Sequence, residues 1–259
     1  MPKLTIITIN FNHQQGLQRT IDSIIGQTFT DYEWIVVDGG STDGSKQLLE
    51  QYKDRFAWWC SESDKGVYNA MNKGLAHATG EYVNFMNSGD MFSSPNILSD
   101  LFSRAYSSDI IYGIMTIKST TGTPMGVGCL KNNIQWYDLF LDNIGHQAEF
   151  SKRYLYDLKM FDESYSLLAD WDWNAYMVAV QRVSVKYVSK VVAVYEFGGM
   201  SERLKGLADK ELQIIRQKYY PSLNRANIME YKSLYSVKSC SVTKNIYSLI
   251  CKLAKKFNA

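Results

Sequence analysis

The sequence predicts an α/β fold built on a mostly parallel sheet with flanking helices, followed by a helical C-terminal tail. Short apolar segments rich in β-branched residues alternate with segments of helical periodicity at intervals of about 25 residues. The chain has 259 residues, 46% hydrophobic and 21% charged, so it can bury the core of one large domain or of a domain with an appendage. This composition excludes a disordered chain, a collagen and a disulfide scaffold.

The first strand and the first helix are predicted at residues 4–9 and 17–25. The same alternation predicts further strands at 34–37, 56–60 and 82–86, with helices after the second and third. Strands that alternate with helices in this way indicate a parallel sheet with helices on both faces.

Beyond residue 95 the alternation is less regular. The pattern predicts a helix over 95–105, a strand over 110–117, a turn region over 119–128, a helix over 170–180, a β-rich segment over 185–197 and an amphipathic helix over 204–220. We therefore expect one large domain over residues 1–200 and a helical extension over residues 201–259.

The charge balance limits the classes of partner. The 28 basic and 26 acidic residues leave a net charge of +2, too near neutrality for the general field of a nucleic-acid binder, so we expect no nucleic-acid partner. Four scattered cysteines and three histidines without metal-ligand spacing predict reduced thiols and no structural zinc site. No apolar run is long enough to span a bilayer and the N-terminus does not resemble a secretory signal, so we expect a cytoplasmic protein.

The segment 231–259 carries six lysines and no acidic residue, interleaved with apolar side chains. A basic amphipathic segment of this kind can lie on an anionic membrane surface, which would place the protein on the inner face of the membrane. A helix that packs on the domain with a solvated lysine face explains the pattern equally well.

Polar side chains follow the predicted strands at the points where they end. Asn10 and Asn12 follow the first strand, Asp38 the second, Asp64 the third and residues 87–90 the fourth. In open parallel sheets ligands bind in the crevice beyond the carboxyl ends of the strands. The pattern predicts a binding site there, with turn and capping residues as the alternative interpretation.

Asp90 is the candidate metal ligand. A diphosphate leaving group needs its charge neutralised, which Mg²⁺ or Mn²⁺ achieves when one or two carboxylates and the phosphate oxygens hold it. An aspartate after a glycine is also a common turn residue.

Five motifs in the first 90 residues resemble, in order and spacing, those of glycosyltransferase family 2. They are residues 5–12, 36–44, 69–74, 80–82 and 85–90, with weaker similarity to about residue 201. The resemblance implies a GT-A fold, which is a Rossmann-like nucleotide-binding domain, over residues 1–200. It also implies inverting transfer of a sugar from a nucleotide-diphosphate donor.

The resemblance implies how the donor is bound. Asp38 matches the aspartate that hydrogen-bonds the base, and a carboxylate there suits the imide N–H of uracil or thymine. Gly39 stands where many members have a second aspartate, and Met71 stands where an arginine is common, so we expect Lys65 or Lys73 to supply positive charge. The residues implied in nucleotide-sugar binding are Thr8, Asn10, Asn12, Asp38, Gly39, Asp64, Lys65, Asn72, Asn87, Ser88 and Gly89.

The family's metal motif is usually rich in aspartate, and in this chain its last position, Asp90, stays acidic. The resemblance implies that Asp90 binds Mn²⁺ or Mg²⁺, while Asn87 and Ser88 can hydrogen-bond the ribose or the waters of the metal.

The segment 168–173 is similar to the family's acidic motif at the start of a helix, in which an aspartate is the catalytic base. Asp170 matches that aspartate, with Asp172 as the fallback and helix capping as the other interpretation. Trp171 or Trp173 could stack on an acceptor sugar or pack in the core.

Two further segments resemble those of some relatives. His146 and Gln147 match a pair near the acceptor or the phosphates, although a lone histidine is more often structural. Residues 198–201 resemble a loop that closes over the donor, and a turn before a helix explains them too.

The sequence is therefore identified as an inverting glycosyltransferase, using a UDP-linked donor with divalent metal and a glycan or lipid-linked glycan acceptor. A non-catalytic sugar-nucleotide-binding or scaffold protein is the alternative, because the acidic motifs are depleted. A nucleotidyltransferase is disfavoured because residues 12–16 contain no phosphate loop, and a dehydrogenase because the glycines at 122, 126 and 128 lack dinucleotide-binding spacing.

Overall fold

The computed structural model describes residues 1–119, 121–128, 134–198, 205–224, 226–228 and 230. Within these residues the strands form one nine-stranded sheet, in the order β3-β2-β1-β4-β8-β6-β9-β5, with β7 paired to β6. The strands are β1 (Leu4–Asn10), β2 (Tyr32–Asp38), β3 (Trp58–Ser61), β4 (Tyr82–Phe85), β5 (Met91–Phe92), β6 (Ile110–Lys118), β7 (Pro124–Gly128), β8 (Glu149–Lys152) and β9 (Val185–Glu196).

Helices flank this sheet, which confirms the predicted fold class. They are α1 (Gln14–Ile25), α2 (Ser45–Tyr52), α3 (Val67–Leu75), α4 (Ile97–Phe102), α5 (Tyr154–Leu158), α6 (Ala169–Ala175) and α7 (Lys205–Tyr219). The predicted helix over 170–180 is α6 followed by a π-helical turn at Tyr176–Val180.

The first four strands are parallel, as predicted. β1 lies between β2 and β4, and all of its residues are buried, which requires apolar side chains on both faces. Leu4 and Ile6 pack in one core cluster with Leu17 of α1. On the other face α3 approaches so closely that a Cβ on Gly74 would lie 2.6 Å from Cγ2 of Ile7. Helices therefore cover both faces of the parallel half.

Beyond β4 the sheet is mixed. β8 pairs antiparallel with both β4 and β6, β6 and β9 are parallel, and β5 pairs antiparallel with β9 through Met91 and Val194. This last pairing brings the end of β9 beside the strand ends of the parallel half. It therefore closes one side of the predicted crevice.

The predicted turn region over 119–128 is wrong in part, because Pro124–Gly128 form strand β7, antiparallel to β6. Two glycines interrupt this strand and most of its residues are exposed. It therefore lacks the alternating apolar pattern of a half-buried strand, and the sequence did not predict it.

Residues Met1–Tyr219 form one compact unit and Tyr220–Ala259 a second, so helix α7 belongs to the first unit. The division at residue 200 into a catalytic domain and an extension stays a prediction. The basic segment 231–259 lies outside the described residues. Among the helices that the structure describes, we find none with the length and apolar character of a membrane span.

Candidate active site

A cleft of about 770 Å³ opens at the carboxyl ends of β1, β2 and β4, where the sequence predicted it. Nine of the predicted residues line it: Asn10, Asn12, Gly39, Asp64, Asn87, Ser88, Asp90, His146 and Gln147. The end of β9 lines the cleft through Tyr195 and Glu196, and Gly198 follows them. Residues 199–201 of the predicted closing loop lie outside the described residues.

The other residues predicted to bind the nucleotide sugar are not among those that line the cleft. Thr8 is buried and accepts a hydrogen bond from Trp34 Nε1 at 3.0 Å. Asn72 bonds both backbone groups of Phe161, whereas Lys65 is exposed at the start of α3. Gly89 has a φ of +101°, a conformation that favours glycine, and it supports the turn that ends in Asp90.

Asp38 is fully buried and organises the loops after β1 and β2. Its Oδ1 accepts hydrogen bonds from Asn10 Nδ2 at 2.7 Å and Ser41 Oγ at 2.5 Å, and its Oδ2 from Ser61 Oγ at 2.7 Å and Ser41 N at 2.9 Å. Burial raises the pKa of Asp38, but these hydrogen bonds outweigh it and hold the pKa below its usual range. Asn10 lines the cleft, and its Oδ1 atom is buried and has no hydrogen-bond partner among the described residues.

The outer wall of the cleft explains the glycine at position 39. A Cβ there would lie 2.6 Å from Asp64 Oδ2 and 3.2 Å from Phe11 Cδ2. Asp64 therefore occupies the space that a second aspartate would need. Its Oδ1 accepts a hydrogen bond from Gly66 N at 2.8 Å, which fixes the carboxylate at the start of α3. Phe11 is 65% exposed, an unusual state for a phenylalanine that lines a cleft.

Asp90 lies at the bottom of the cleft. Gln147 Nε2 donates to its Oδ2 at 3.0 Å, and the backbone N–H of Glu196 donates to its Oδ1 at 3.3 Å. Burial raises the pKa of Asp90 to about 6, against the lowering effect of His146. In the same turn, Asn87 Oδ1 is buried and has no hydrogen-bond partner among the described residues.

This pair of groups fits a hard divalent cation. Mg²⁺ and Mn²⁺ accept one or two protein oxygens and take their other ligands from phosphate and water. One carboxylate beside an unpartnered amide oxygen meets that need. Across the described residues, no group of three or more His, Cys, Asp or Glu side chains could hold a metal by itself, so the phosphates would have to complete the coordination.

Asp170 lies in the first turn of α6, one residue after the position where this helix begins, so it is not the N-cap residue. Its Oδ1 lies 3.0 Å from Tyr68 Oη, and its Oδ2 accepts from Asn143 Nδ2 at 3.2 Å and lies 3.3 Å from His146 Nδ1. Tyr68 and His146 both line the cleft. His146 Nε2 lies 3.1 Å from Asn87 Nδ2. Hydrogen bonds thus connect Asp170 to the turn that carries Asp90.

Three acidic groups affect the pKa of His146. Burial lowers its pKa, but the hydrogen bond and charge of Asp170, with the charges of Asp90 and Glu149, outweigh this effect and raise the pKa above its ordinary value. Its Nδ1–H tautomer satisfies both contacts, because Nδ1 donates to Asp170 and Nε2 then accepts from Asn87.

Asp172 is not placed to act on a substrate. It is fully buried, forms ion pairs with Lys159 and with Lys218 at 2.9 Å, and lies 3.3 Å from Tyr165 Oη. Two cations already neutralise this carboxylate. The geometry therefore favours Asp170 over Asp172 as the base.

The two tryptophans of the acidic motif are hydrogen-bonded to the fold. Trp171 Nε1 donates to the carbonyl of Leu139 at 2.6 Å, and Trp173 Nε1 donates to that of Lys159 at 2.7 Å. Trp173 is buried and stacks on Tyr156 with ring centroids 4.6 Å apart. Trp173 is therefore a core residue, whereas Trp171 keeps some exposure.

Glu211 of helix α7 caps the segment that leads into α6. The carboxylate of Glu211 accepts three backbone hydrogen bonds, from Ser166 at 2.7 Å, Leu167 at 3.1 Å and Leu168 at 2.9 Å. These N–H groups immediately precede α6, which has no side-chain cap of its own. Ser166 and Leu167 also line the cleft, so α7 fixes part of the cleft wall.

Sequence reasoning missed Phe11, Tyr68 and Glu211. Phe11 lies between two predicted residues, and an aromatic residue between two asparagines at the end of a strand was the signal that could have identified it. Tyr68 follows closely after Asp64 and Lys65, which the sequence did indicate, but nothing local predicts its contact with a residue 102 positions away. Glu211 lies on α7, and the apolar periodicity of a helix does not predict which other element it packs against.

A cleft of nucleotide size at the carboxyl ends of parallel strands, with a buried carboxylate among the residues that line it, is typical of nucleotide-binding α/β enzymes. Residues 5–158 match the sequence model of glycosyl transferase family 2, and the chain belongs to that family. It is a glycosyltransferase, as the motifs predicted.

Two curated relatives agree with this assignment. A PGL/p-HBAD biosynthesis glycosyltransferase of Mycobacterium bovis is 32% identical over 225 residues, which cover 81% of this chain and 82% of the relative. An uncharacterized glycosyltransferase of Mycobacterium tuberculosis is 44% identical over 99 residues, 38% of each chain.

Solved structures share the fold. TarS of S. aureus superimposes with a TM-score of 0.64 at 19% identity, over 87% of this chain and 41% of TarS. The complex of its residues 1–349 with UDP-GlcNAc gives 0.64 at 18% identity, over 87% of this chain and 69% of that one. The mannosyltransferase PcManGT from Pyrobaculum calidifontis, in complex with GDP-Man and Mn²⁺, gives 0.60 at 16% identity, over 98% and 80%.

Proposed function

We propose that this glycosyltransferase moves a sugar, with inversion, from a UDP-linked donor to a hydroxyl of a glycan or lipid-linked glycan. The observation that carries the proposal is that the two aspartates on α6 have different surroundings. Asp170 is held between two residues that line the cleft, whereas Asp172 is neutralised by two lysines.

In the proposed reaction Asp170 removes the proton of the acceptor hydroxyl. The acceptor oxygen forms a bond to the anomeric carbon while the bond from that carbon to the diphosphate oxygen breaks, and the nucleotide diphosphate leaves with the electron pair. Asn143 donates a hydrogen bond that orients the Asp170 carboxylate before it takes the proton. The Tyr68 hydroxyl, which shares its one proton between Asp170 and the carbonyl of Leu167, holds the other carboxylate oxygen. Attack from the face opposite the leaving group inverts the anomeric centre.

The base and ribose would bind at the outer wall. Phe11 offers a ring face on which a base can stack, and Asp64 offers an acceptor oxygen for an imide N–H. The Asp38 carboxylate is occupied by Asn10, Ser41 and Ser61, so a base that contacts Asp38 would displace a serine hydroxyl. The UDP-GlcNAc complex of a protein with the same fold supports a uridine donor.

Asp90 and Asn87 would hold a divalent cation with the donor diphosphate. A bound Mn²⁺ or Mg²⁺ neutralises the charge that develops on the leaving diphosphate. This role is needed because the described residues that line the cleft include no Lys or Arg, and Lys73 is paired with Glu62 at 2.7 Å. The Mn²⁺ in the GDP-Man complex supports the same choice of metal.

A lipid-linked acceptor would bring the enzyme to the inner face of the membrane. The support is the sequence of segment 231–259, whose six lysines suit an anionic lipid surface. This placement and the cytoplasmic location stay predictions.

A panel of UDP-, GDP- and dTDP-linked sugars, with and without Mn²⁺, tests the proposal by thermal shift. We expect a UDP-linked sugar to raise the melting temperature in a Mn²⁺-dependent manner, because a ligand that binds only the folded state stabilises it. Asp90→Ala should abolish the Mn²⁺ dependence. Asp100→Ala, at an exposed ion pair with Lys190, is the matched control and should keep it.

Absence of a shift with every uridine donor would contradict the choice of donor. A shift without any transfer or hydrolysis of the bound donor would instead support the scaffold alternative.

A further inference from the structure

Glu149 is a buried carboxylate that the proposed reaction does not use. It lies at the start of β8, beneath the cleft floor, and is 6% exposed. Its Oε1 accepts from Ser151 Oγ, and its Oε2 accepts from Asn174 Nδ2 at 3.0 Å. Burial of a carboxylate costs free energy even when the carboxylate is hydrogen-bonded. A side chain that served only to pack in the core would not need this charge.

Glu149 is connected to Asp170 through two amides. Asn174 Nδ2 uses its second proton to donate to Asn143 Oδ1 at 3.2 Å. Asn143 Nδ2 in turn donates to Asp170 Oδ2 at 3.2 Å. Asn174 and Asp170 lie four residues apart on α6, so they share one face of the helix. Asn174 is therefore held with one N–H toward Glu149 and one toward Asn143, and Asn143 is held with its N–H toward the proposed base.

The same groups surround one small void. About 10 Å³ of space lies between Glu149, Asn174, Asp170 and His146, closed by apolar residues that include Phe161. Charges that face such an apolar enclosure interact strongly, since little water screens them.

We propose that Glu149 is a positioning residue for Asp170, acting through the amides of Asn174 and Asn143. The inference rests on the proposed role of Asp170 as base. The carboxylate of Glu149 fixes the orientation of the Asn174 amide. Asn174 then donates to Asn143 Oδ1, so that Asn143 can present only its Nδ2 to Asp170. Without this acceptor both amides can rotate, and Asp170 Oδ2 loses one of its two donors and keeps only His146.

The charge of Glu149 adds a pH dependence. Burial raises its pKa to about 7, against hydrogen bonds from Ser151 and Asn174. The titratable groups that face it are His146, Asp170 and Tyr156. When Glu149 ionises it accepts more strongly from Asn174, which holds the chain of amides to Asp170 more firmly. Turnover should therefore rise through pH 7.

The first test measures hydrolysis of UDP-GlcNAc with Mn²⁺, or of whichever donor gives the largest thermal shift, from pH 5.5 to 8.5. Glu149→Leu should lower kcat about tenfold, as loss of a group that orients a functional ligand typically does, with KM little changed. Glu149→Gln keeps an acceptor for Asn174, so it should restore most of kcat at acid pH but lose the rise near pH 7. Asn174→Ala should add little to Glu149→Leu, because both break one chain of hydrogen bonds.

Glu33 provides a matched control at the amino ends of the parallel strands. It accepts hydrogen bonds from Thr5, Thr79 and Gly80 near the amino end of β2, away from the cleft. Glu33→Gln should leave the pH profile unchanged. A folded Glu149→Leu variant with the kcat and pH profile of the wild type would overturn the inference, as would equal losses in kcat and donor affinity.

A second measurement separates this inference from the proposed function. Glu149→Gln and Asp170→Asn each remove one of two neighbouring negative charges, so at pH 8 the changes in melting temperature that they cause should not add. Full additivity would overturn the inference even if no donor were turned over. Non-additivity without any turnover would support the coupling and count against the proposed reaction.

Discussion

The hydroxyl of Tyr68 lies 3.0 Å from Asp170 Oδ1 and 2.5 Å from the carbonyl oxygen of Leu167. Burial, then the charge of Asp170, raises the pKa of Tyr68 well above its ordinary value, so this hydroxyl stays a donor. Helix α3, which supports the cleft wall, is thereby joined to the helix that carries the proposed base.

We expect Tyr68→Phe to lower kcat about tenfold while the donor Kd stays within about twofold. A hydrogen bond to a charged group contributes about 1.5–3 kcal/mol, and its loss frees one oxygen of Asp170. Steady-state kinetics with calorimetric donor titration checks this. Tyr154→Phe, which removes a hydroxyl bound to Asp109 at 2.7 Å, should have no effect on kcat. Equal kcat in the two variants would refute the positioning role of Tyr68.

Loss of the Glu211 carboxylate should destabilise the fold. Glu211→Ala leaves three N–H groups before α6 without their acceptor, and each unsatisfied buried group costs about 1–3 kcal/mol. We expect a total loss of about 3 kcal/mol, or a fall in melting temperature of roughly 6–12 °C for a chain of this size. Glu211→Gln keeps one acceptor oxygen and should lose less.

Asp209→Ala, at an exposed position on the same helix, controls for the loss of an acidic residue from α7. Calorimetry that gives the same melting temperature for Glu211→Ala and Asp209→Ala would show that the cap contributes nothing.

The two lysines on Asp172 should not be equivalent. Lys159 is 19% exposed and also contacts Tyr219, whereas Lys218 is 43% exposed. Lys159→Met should cost about 3 kcal/mol, because removal of one partner leaves a buried charge, while Lys218→Met should cost about 1 kcal/mol. Denaturant unfolding of both variants checks this order, and a larger loss for Lys218→Met would contradict it.

Glu149 should make stability depend on pH. Because burial raises its folded pKa to about 7 from an unfolded value near 4.5, the folded chain binds the extra proton between these values. Its contribution to the free energy of unfolding is thus full below pH 4.5, decreases as the pH rises and is lost above 7. Glu149→Gln carries no such charge, so it should gain on the wild type across this window, by about 3 kcal/mol at pH 8.

Urea unfolding of both proteins at pH 4.5, 6 and 8 measures this gain. A constant difference across the three pH values would mean that Glu149 is not titrating in the folded chain.

The sequence predicted the parallel half of the fold and much of the cleft, for one physical reason. Parallel strands end at the same edge, so Asn10, Asp64, Asn87 and Asp90 had to meet once the strands were placed. The fold class and the family are confirmed. The family could be identified although its acidic motifs are depleted, because this chain keeps the order and spacing of the motifs.

The contacts around Asp170 could not be predicted in this way. Glu149 and Asn174 are 25 residues apart, and Glu211 and Leu168 are 43 apart, on elements whose packing no local periodicity encodes. Strand β7 was missed because its glycines and exposed residues lack a strand pattern. The distinction between Asp170 and Asp172 likewise required the positions of two distant lysines.

The most direct test of the central claim compares donor turnover by Asp170→Asn and Asp172→Asn, with the donor Kd measured on the same samples. Asp170→Asn should lower kcat by about 10²–10⁴, the contribution of a general base, with the donor Kd unchanged. Asp172→Asn should retain most of the turnover of its folded fraction. Wild-type kcat in Asp170→Asn, or loss of turnover in folded Asp172→Asn alone, would contradict the assignment of Asp170 as the base.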